Sequence, residues 1–95
     1  MSIREDVLDT AKEIVCNDRN NQYGEPEDNF GLIAKLWSCY TSTNLSSKDV
    51  ANMMILFKVA RNATGNSKVD NWVDIAGYAA CGAECDGFEA EAKAD

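Results

Sequence analysis

With 95 residues the chain has room for one domain and a modest core. Its net charge of −7, from 16 acidic against 9 basic residues, opposes the field that binds a nucleic-acid polymer. The absence of histidine removes the usual neutral-pH general base, and no apolar run approaches the ~20 residues that span a bilayer. Cys16, Cys39, Cys81 and Cys85 include no C-x-x-C pair and have no histidine to join them, which argues against zinc. The start, Ser2-Ile3-Arg4-Glu5-Asp6, is charged at once, so no secretory leader is expected there. The cysteines are accordingly expected as reduced, core-filling thiols of a cytoplasmic protein.

The spacing predicts a first helix over about Ile3 to Val15, with Ile3, Val7, Ala11, Ile14 and Val15 on one stripe. Ser2 and Glu5 form a capping-box pattern at its start. Residues 17–24 are polar and turn-forming. Pro26 suits the first turn of a second helix, and Glu27 and Asp28 favour its positive end. Phe30, Ile33, Trp37 and Tyr40 form an aromatic-rich stripe expected in the core. Ser46 and Asp49 resemble a second capping box, opening a helix from about Ser47 to Asn62, with Gly65 just beyond. A last helix is predicted from about Asp70 to Cys85, followed by an acidic, Ala-rich tail that frays or extends it weakly. The expected architecture is an all-α bundle of about four helices, a single domain over 1–85 with a tail over 86–95.

The third helix carries a local conflict. Val50, Met53, Met54 and Phe57 define an apolar face, yet Arg61 points almost the same way and Lys58 sits at its edge. A core-facing cation needs an anionic partner, because an unpaired buried charge is costly. Two partners fit: a protein carboxylate, or a ligand phosphate held by Arg61 as a bidentate fork and Lys58 as a point charge.

On the fourth helix Trp72, Ala76, Ala79 and Ala83 make an apolar face. Asp70 and Asp74, four apart, stack on the other side, with Tyr78 one turn on. Stacked carboxylates persist when a cation lies between them. Asp70 as N-cap with an ion pair to Arg61 or Lys58, a divalent-metal site at Asp70 and Asp74, and direct ligand contact are the three options. Gly77 and Gly82 in a helix interior cost ~1 kcal/mol each against alanine, so a close neighbour is expected there, in the same chain or a second copy. The expected assembly is a homo-oligomer formed through this small-residue helix.

The order DRNNQYGEPEDNF, LWSCY, DVANMMILFKVAR, DNWVDIAGYAA, from about Ala11 to Glu84, resembles a family of small uncharacterised phage proteins. The Tyr-Gly turn after a basic residue, the Lys-x-x-Arg and the Asp-x-x-x-Asp-x-x-x-Tyr ending are also similar to nucleotide-modification-associated phage domains. More faintly, they resemble all-helical nucleotide pyrophosphohydrolases. Those enzymes hold magnesium with E-x-x-E and E-x-x-D pairs on adjacent helices. Here Glu25, Glu27 and Asp28 bunch at one helix start, and Asp70 and Asp74 are spaced four apart.

The resemblance implies ligand contacts at Arg19, Tyr23, Asn29, Lys58, Arg61, Trp72, Asp74 and Tyr78, with Asp70 and Asp74 as the candidate metal pair. The expected function is a phage accessory protein of the infected cell's cytoplasm. It would bind a nucleotide-type small molecule without turnover or cofactor, sequestering a host nucleotide immune signal. A Mg2+-dependent nucleotide pyrophosphohydrolase and a structural or host-factor-binding protein are the alternatives.

Overall fold

The computed structural model describes residues 2–18, 22, 24–65 and 67–94, apart from the side chains of residue 18 and residues 88–94. Among these residues lie four α-helices and no strand: α1 (Ile3–Glu13), α2 (Pro26–Thr41), α3 (Ser47–Ala63) and α4 (Val69–Ala94). The expected all-α class is thus the observed one.

Two of the helices, α1 and α3, begin at reciprocal capping boxes that satisfy free N–H groups. Ser2 Oγ accepts the Glu5 N–H at 3.2 Å, and the Glu5 carboxylate accepts the Ser2 N–H at 3.2 Å. After Glu13 the coil widens into a π-helical turn, Ile14–Asp18, where Asn17 donates to the Glu13 carboxylate at 3.0 Å. Pro26 opens α2 at a position where its missing N–H is not needed. That helix closes on Ser42 in the left-handed region (φ 57), and Ser38 Oγ accepts the Leu45 N–H at 2.9 Å across the connection. Ser46 and Asp49 then repeat the reciprocal box at the head of α3. Gly65, at φ +68, turns the chain toward α4, a backbone state that favours glycine.

The core is built from small residues. Phe30 and Ala34 of α2, Val50 and Ala51 of α3, and Cys81 and Cys85 of α4 are buried together, with Val15, Ile33, Trp37, Met54 and Tyr78 packed on them. α4 is the central element and packs against each of the other three helices. Its glycines explain the close approach. A Cβ on Gly82 would lie 2.9 Å from the Ala51 Cβ, and one on Gly77 would lie 3.1 Å from a Val15 methyl. The neighbour those glycines need is therefore supplied within the chain.

Several expected faces are rotated. On α4 the buried line is Asn71, Val73, Gly77, Cys81 and Cys85, while Trp72 is 55% exposed. On α3 the inward side is Val50, Ala51, Met54 and Lys58; Met53, Phe57 and Arg61 face outward. Tyr40 is 92% exposed, and Ile3 and Ile14 of the α1 stripe are exposed. On α3 and α4 the cause is the close approach at Gly82 and Ala51. Helices that approach this closely bury alanine, glycine and cysteine at the seam and push large side chains to its flanks. The first helix gives way to the π turn before Val15, and α4 continues through Ala94 instead of ending near Cys85. No disulfide joins any of the four cysteines; Cys81 and Cys85 are buried and Cys16 and Cys39 exposed.

Candidate functional site

The conflict on α3 resolves through Lys58. Its ammonium lies 2.8 Å from the Asp74 carboxylate on α4, with side-chain exposures of 15% and 36%. The inward cation thus has a protein partner, and that cation is Lys58, not Arg61. Tyr78, one turn beyond Asp74, packs on the core with its ring 6.5 Å from that of Phe30. Asn29, half-buried, precedes Phe30 on α2. Lys58 and Asp74 are thereby joined in one partly buried pair, backed by Tyr78. Asp70 is exposed and is the second residue of α4, so it is not the helix cap. Arg19 and Tyr23 lie outside the described residues.

Arg61 belongs to a different region. It is exposed in the last turn of α3, where its guanidinium lies 5.4 Å from the centre of the Phe57 ring. The turn at Gly65 folds α4 back so that Arg61, Thr64, Lys68 and Asn71 line one open cavity of about 390 Å3. Two cations, a hydroxyl and an amide line it, with no carboxylate among them. The Thr64 hydroxyl donates to the Ala60 carbonyl at 2.9 Å. Asn71 is 8% exposed, and its backbone N–H donates to the Lys68 carbonyl at 3.0 Å. No hydrogen bond of its side-chain amide is found among the described residues. The buried amide nitrogen without a hydrogen-bond partner near this turn is Asn62 Nδ2, next to Arg61 on α3. The start of α4 adds the positive end of a long helix. Exposed aromatic rings follow on each helix, Phe57 one turn before Arg61 and Trp72 next to Asn71.

Thr64, Lys68 and Asn71 were not picked out by spacing or resemblance. The available signal was the glycine turn: cations at the end of one helix and immediately before the next must meet when the connection is this short. Asn71, two residues before Val73 on the buried line, was the polar residue out of place.

A third cluster lies elsewhere. Ligand oxygens of Glu25, Glu27 and Glu84 come within 4.8 Å of one another at the start of α2. The Glu27 Oε2 atom is buried without a hydrogen-bond partner. Carboxylates are favoured at a helix N-terminus by its dipole, so their presence there has an account without an ion. Glu84 lies about 20 Å beyond Asn71 along α4 at 1.5 Å per residue. The carboxylate trio and the cationic cavity therefore do not form one site.

Comparison with known proteins places the sequence among phage proteins. Residues 6–86 match the family described as a domain of unknown function, DUF6378. The Gene 55 protein of Mycobacterium phage D29 is 45% identical over 78 residues, covering 81% of this chain and 51% of the relative. The Gene 55 protein of Mycobacterium phage L5 is 43% identical over 74 residues, covering 77% and 47%. The chain thus spans about half the length of these curated relatives. No solved structure matches. The chain belongs to the DUF6378 family, a family of phage proteins of unknown function.

Proposed function

We propose that the chain binds the phosphate of a nucleotide-type ligand in the Arg61–Lys68 cavity and holds it without turnover. In an infected cell such binding would keep a host nucleotide signal from its effector. The observation that carries this reading is a cavity whose described lining holds two cations and no carboxylate, in a chain of net charge −7. Arg61 offers a planar fork of donors to phosphate oxygens, and Lys68 adds a point charge. Asn71 and Thr64 add neutral hydrogen-bonding groups, and Trp72 is an exposed ring on which a base can stack. Retention without turnover follows from the lining. A guanidinium does not act as a base at neutral pH. The Thr64 hydroxyl is engaged with a carbonyl and has no base beside it in the lining.

Relative to the set first expected, this site keeps Arg61 and Trp72, adds Thr64, Lys68 and Asn71, and assigns Lys58 and Asp74 to architecture. Calorimetric titration with adenosine monophosphate, a cyclic dinucleotide and inorganic phosphate tests it. Arg61→Met and Lys68→Met are each expected to weaken binding at least tenfold, and the recovered nucleotide should keep its mass. Binding indifferent to both substitutions would overturn the assignment, and conversion of the nucleotide would replace retention by catalysis.

A further inference from the structure

The outer side of α3 is apolar, although the molecule's core lies on the opposite side. Met53, Leu56 and Phe57 are 40%, 64% and 51% exposed, and exposed Ala60 completes their i, i+3, i+4, i+7 line. Between Asn52 and Ala60 the one charged residue is Lys58, and Asp74 draws it inward. The stripe residues themselves are uncharged for more than two turns, in a chain of which 26% is charged, and the Lys58 and Arg61 cations lie over the Phe57 ring at 5.8 and 5.4 Å. A solvated helix face is normally polar, so this one is built to be covered.

We infer that the outer face of α3 is a two-fold interface between two copies of this chain, paired antiparallel. The exposed area supports a second copy as the occupant. The chain presents 6772 Å2 to solvent. A globular monomer of 10.4 kDa presents about 5,400 Å2. The excess, about 1,400 Å2, is summed over the whole chain, the extended end of α4 included, and leaves room for the about 800 Å2 that each partner buries in a standard interface. The core shows the same shortage, since Val50 is the largest side chain that is wholly buried among the described residues.

The stripe is also complementary to itself. In an antiparallel pair centred between Leu56 and Phe57, Met53 of one copy faces Ala60 of the other, large against small, and the two Leu56–Phe57 steps meet at the axis. The antiparallel arrangement sets the positive end of each α3 beside the negative end of the other. This relocates self-association from the Gly/Ala-rich α4, whose Gly77 and Gly82 are already filled by Val15 and Ala51 of the same chain.

Sedimentation velocity on the full chain at tens of micromolar tests the interface. The wild type is expected at twice the monomer mass. Leu56→Glu and Met53→Glu should each sediment as monomers with helical circular dichroism unchanged, since both positions are exposed in the single copy. Ala79→Glu, on the outer face of α4, should remain dimeric. A monomeric wild type would overturn the inference, as would a dimer that survives both α3 substitutions or is lost with Ala79→Glu. If one α3 variant fails to fold, the other carries the decision.

Discussion

Lys58 and Arg61 stand three residues apart on one helix and meet opposite fates. Lys58 turns inward to Asp74 at 2.8 Å, and its charge is cancelled within the fold. Arg61, in the last turn, is exposed, faces an aromatic ring and shares a cavity with another cation. A cation with a protein carboxylate is part of the architecture. A cation gathered with a second cation is an expense to the fold unless something anionic comes to it. The α3–α4 seam thus divides into a closed half around Lys58 and Gly82 and an open half around Arg61.

The closed half should be the sensitive one. Gly82→Leu puts a side chain where even a Cβ lies 2.9 Å from Ala51. Overpacking of this kind costs about 3 kcal/mol, and the effect on thermal unfolding should be the largest of the set. A melting temperature unchanged by Gly82→Leu would break the account of the seam.

Lys58→Met comes next. It strands a partly exposed carboxylate, so the loss lies between that of a surface pair and a buried one, about 1–2 kcal/mol. In a domain this size that amounts to a fall of about 5–15 °C in Tm. Combining it with Asp74→Asn should recover part of the loss, because the stranded charge is gone, and a double-mutant cycle measures that coupling.

Smaller again is the cap of α3. Ser46→Ala removes the acceptor for the Asp49 N–H and should cost about 1 kcal/mol. The same box makes a pH signature. The Asp49 carboxyl is held below its ordinary value, chiefly by the Ser46 backbone N–H, then by the Ser46 hydroxyl and Lys48. A depressed carboxyl stabilises the fold above the ordinary carboxylate range, and that contribution fades as pH falls through the lowered value. Asp49→Ala should therefore lower Tm near neutrality and converge with the wild type in strong acid. Parallel melting curves at every pH would contradict it.

What the sequence disclosed follows from locality. Both capping boxes, Pro26 at the head of α2 and Gly65 past the end of α3 lie in a few consecutive residues, and each does what its spacing implied. The buried faces depend on how closely helices approach, which no local pattern states. Trp72, Phe57 and Tyr40 looked like core because they are large. Trp72 and Phe57 lie outside because Gly82 against Ala51 sets the α3–α4 separation, and small residues take that seam. The same rotation hid the candidate site. The spacing marks Arg61 as the core-facing cation in need of a partner, and a modest change of facing gives that place to Lys58 and leaves Arg61 exposed. Thr64, Lys68 and Asn71 become neighbours only once the Gly65 turn is folded, so no motif announced them.

The smallest expected change in stability belongs to Arg61, and it is the most informative. Arg61→Met and Lys58→Met should be melted side by side, each with and without the nucleotide that binds the wild type. The account predicts that Arg61→Met leaves Tm within the range of an ordinary surface substitution, about ±0.5 kcal/mol, or raises it, and loses the ligand-induced rise. Lys58→Met should melt lower and keep that rise. The reverse pattern, a large drop for Arg61→Met with ligand stabilisation intact, would contradict the division into a closed and an open half.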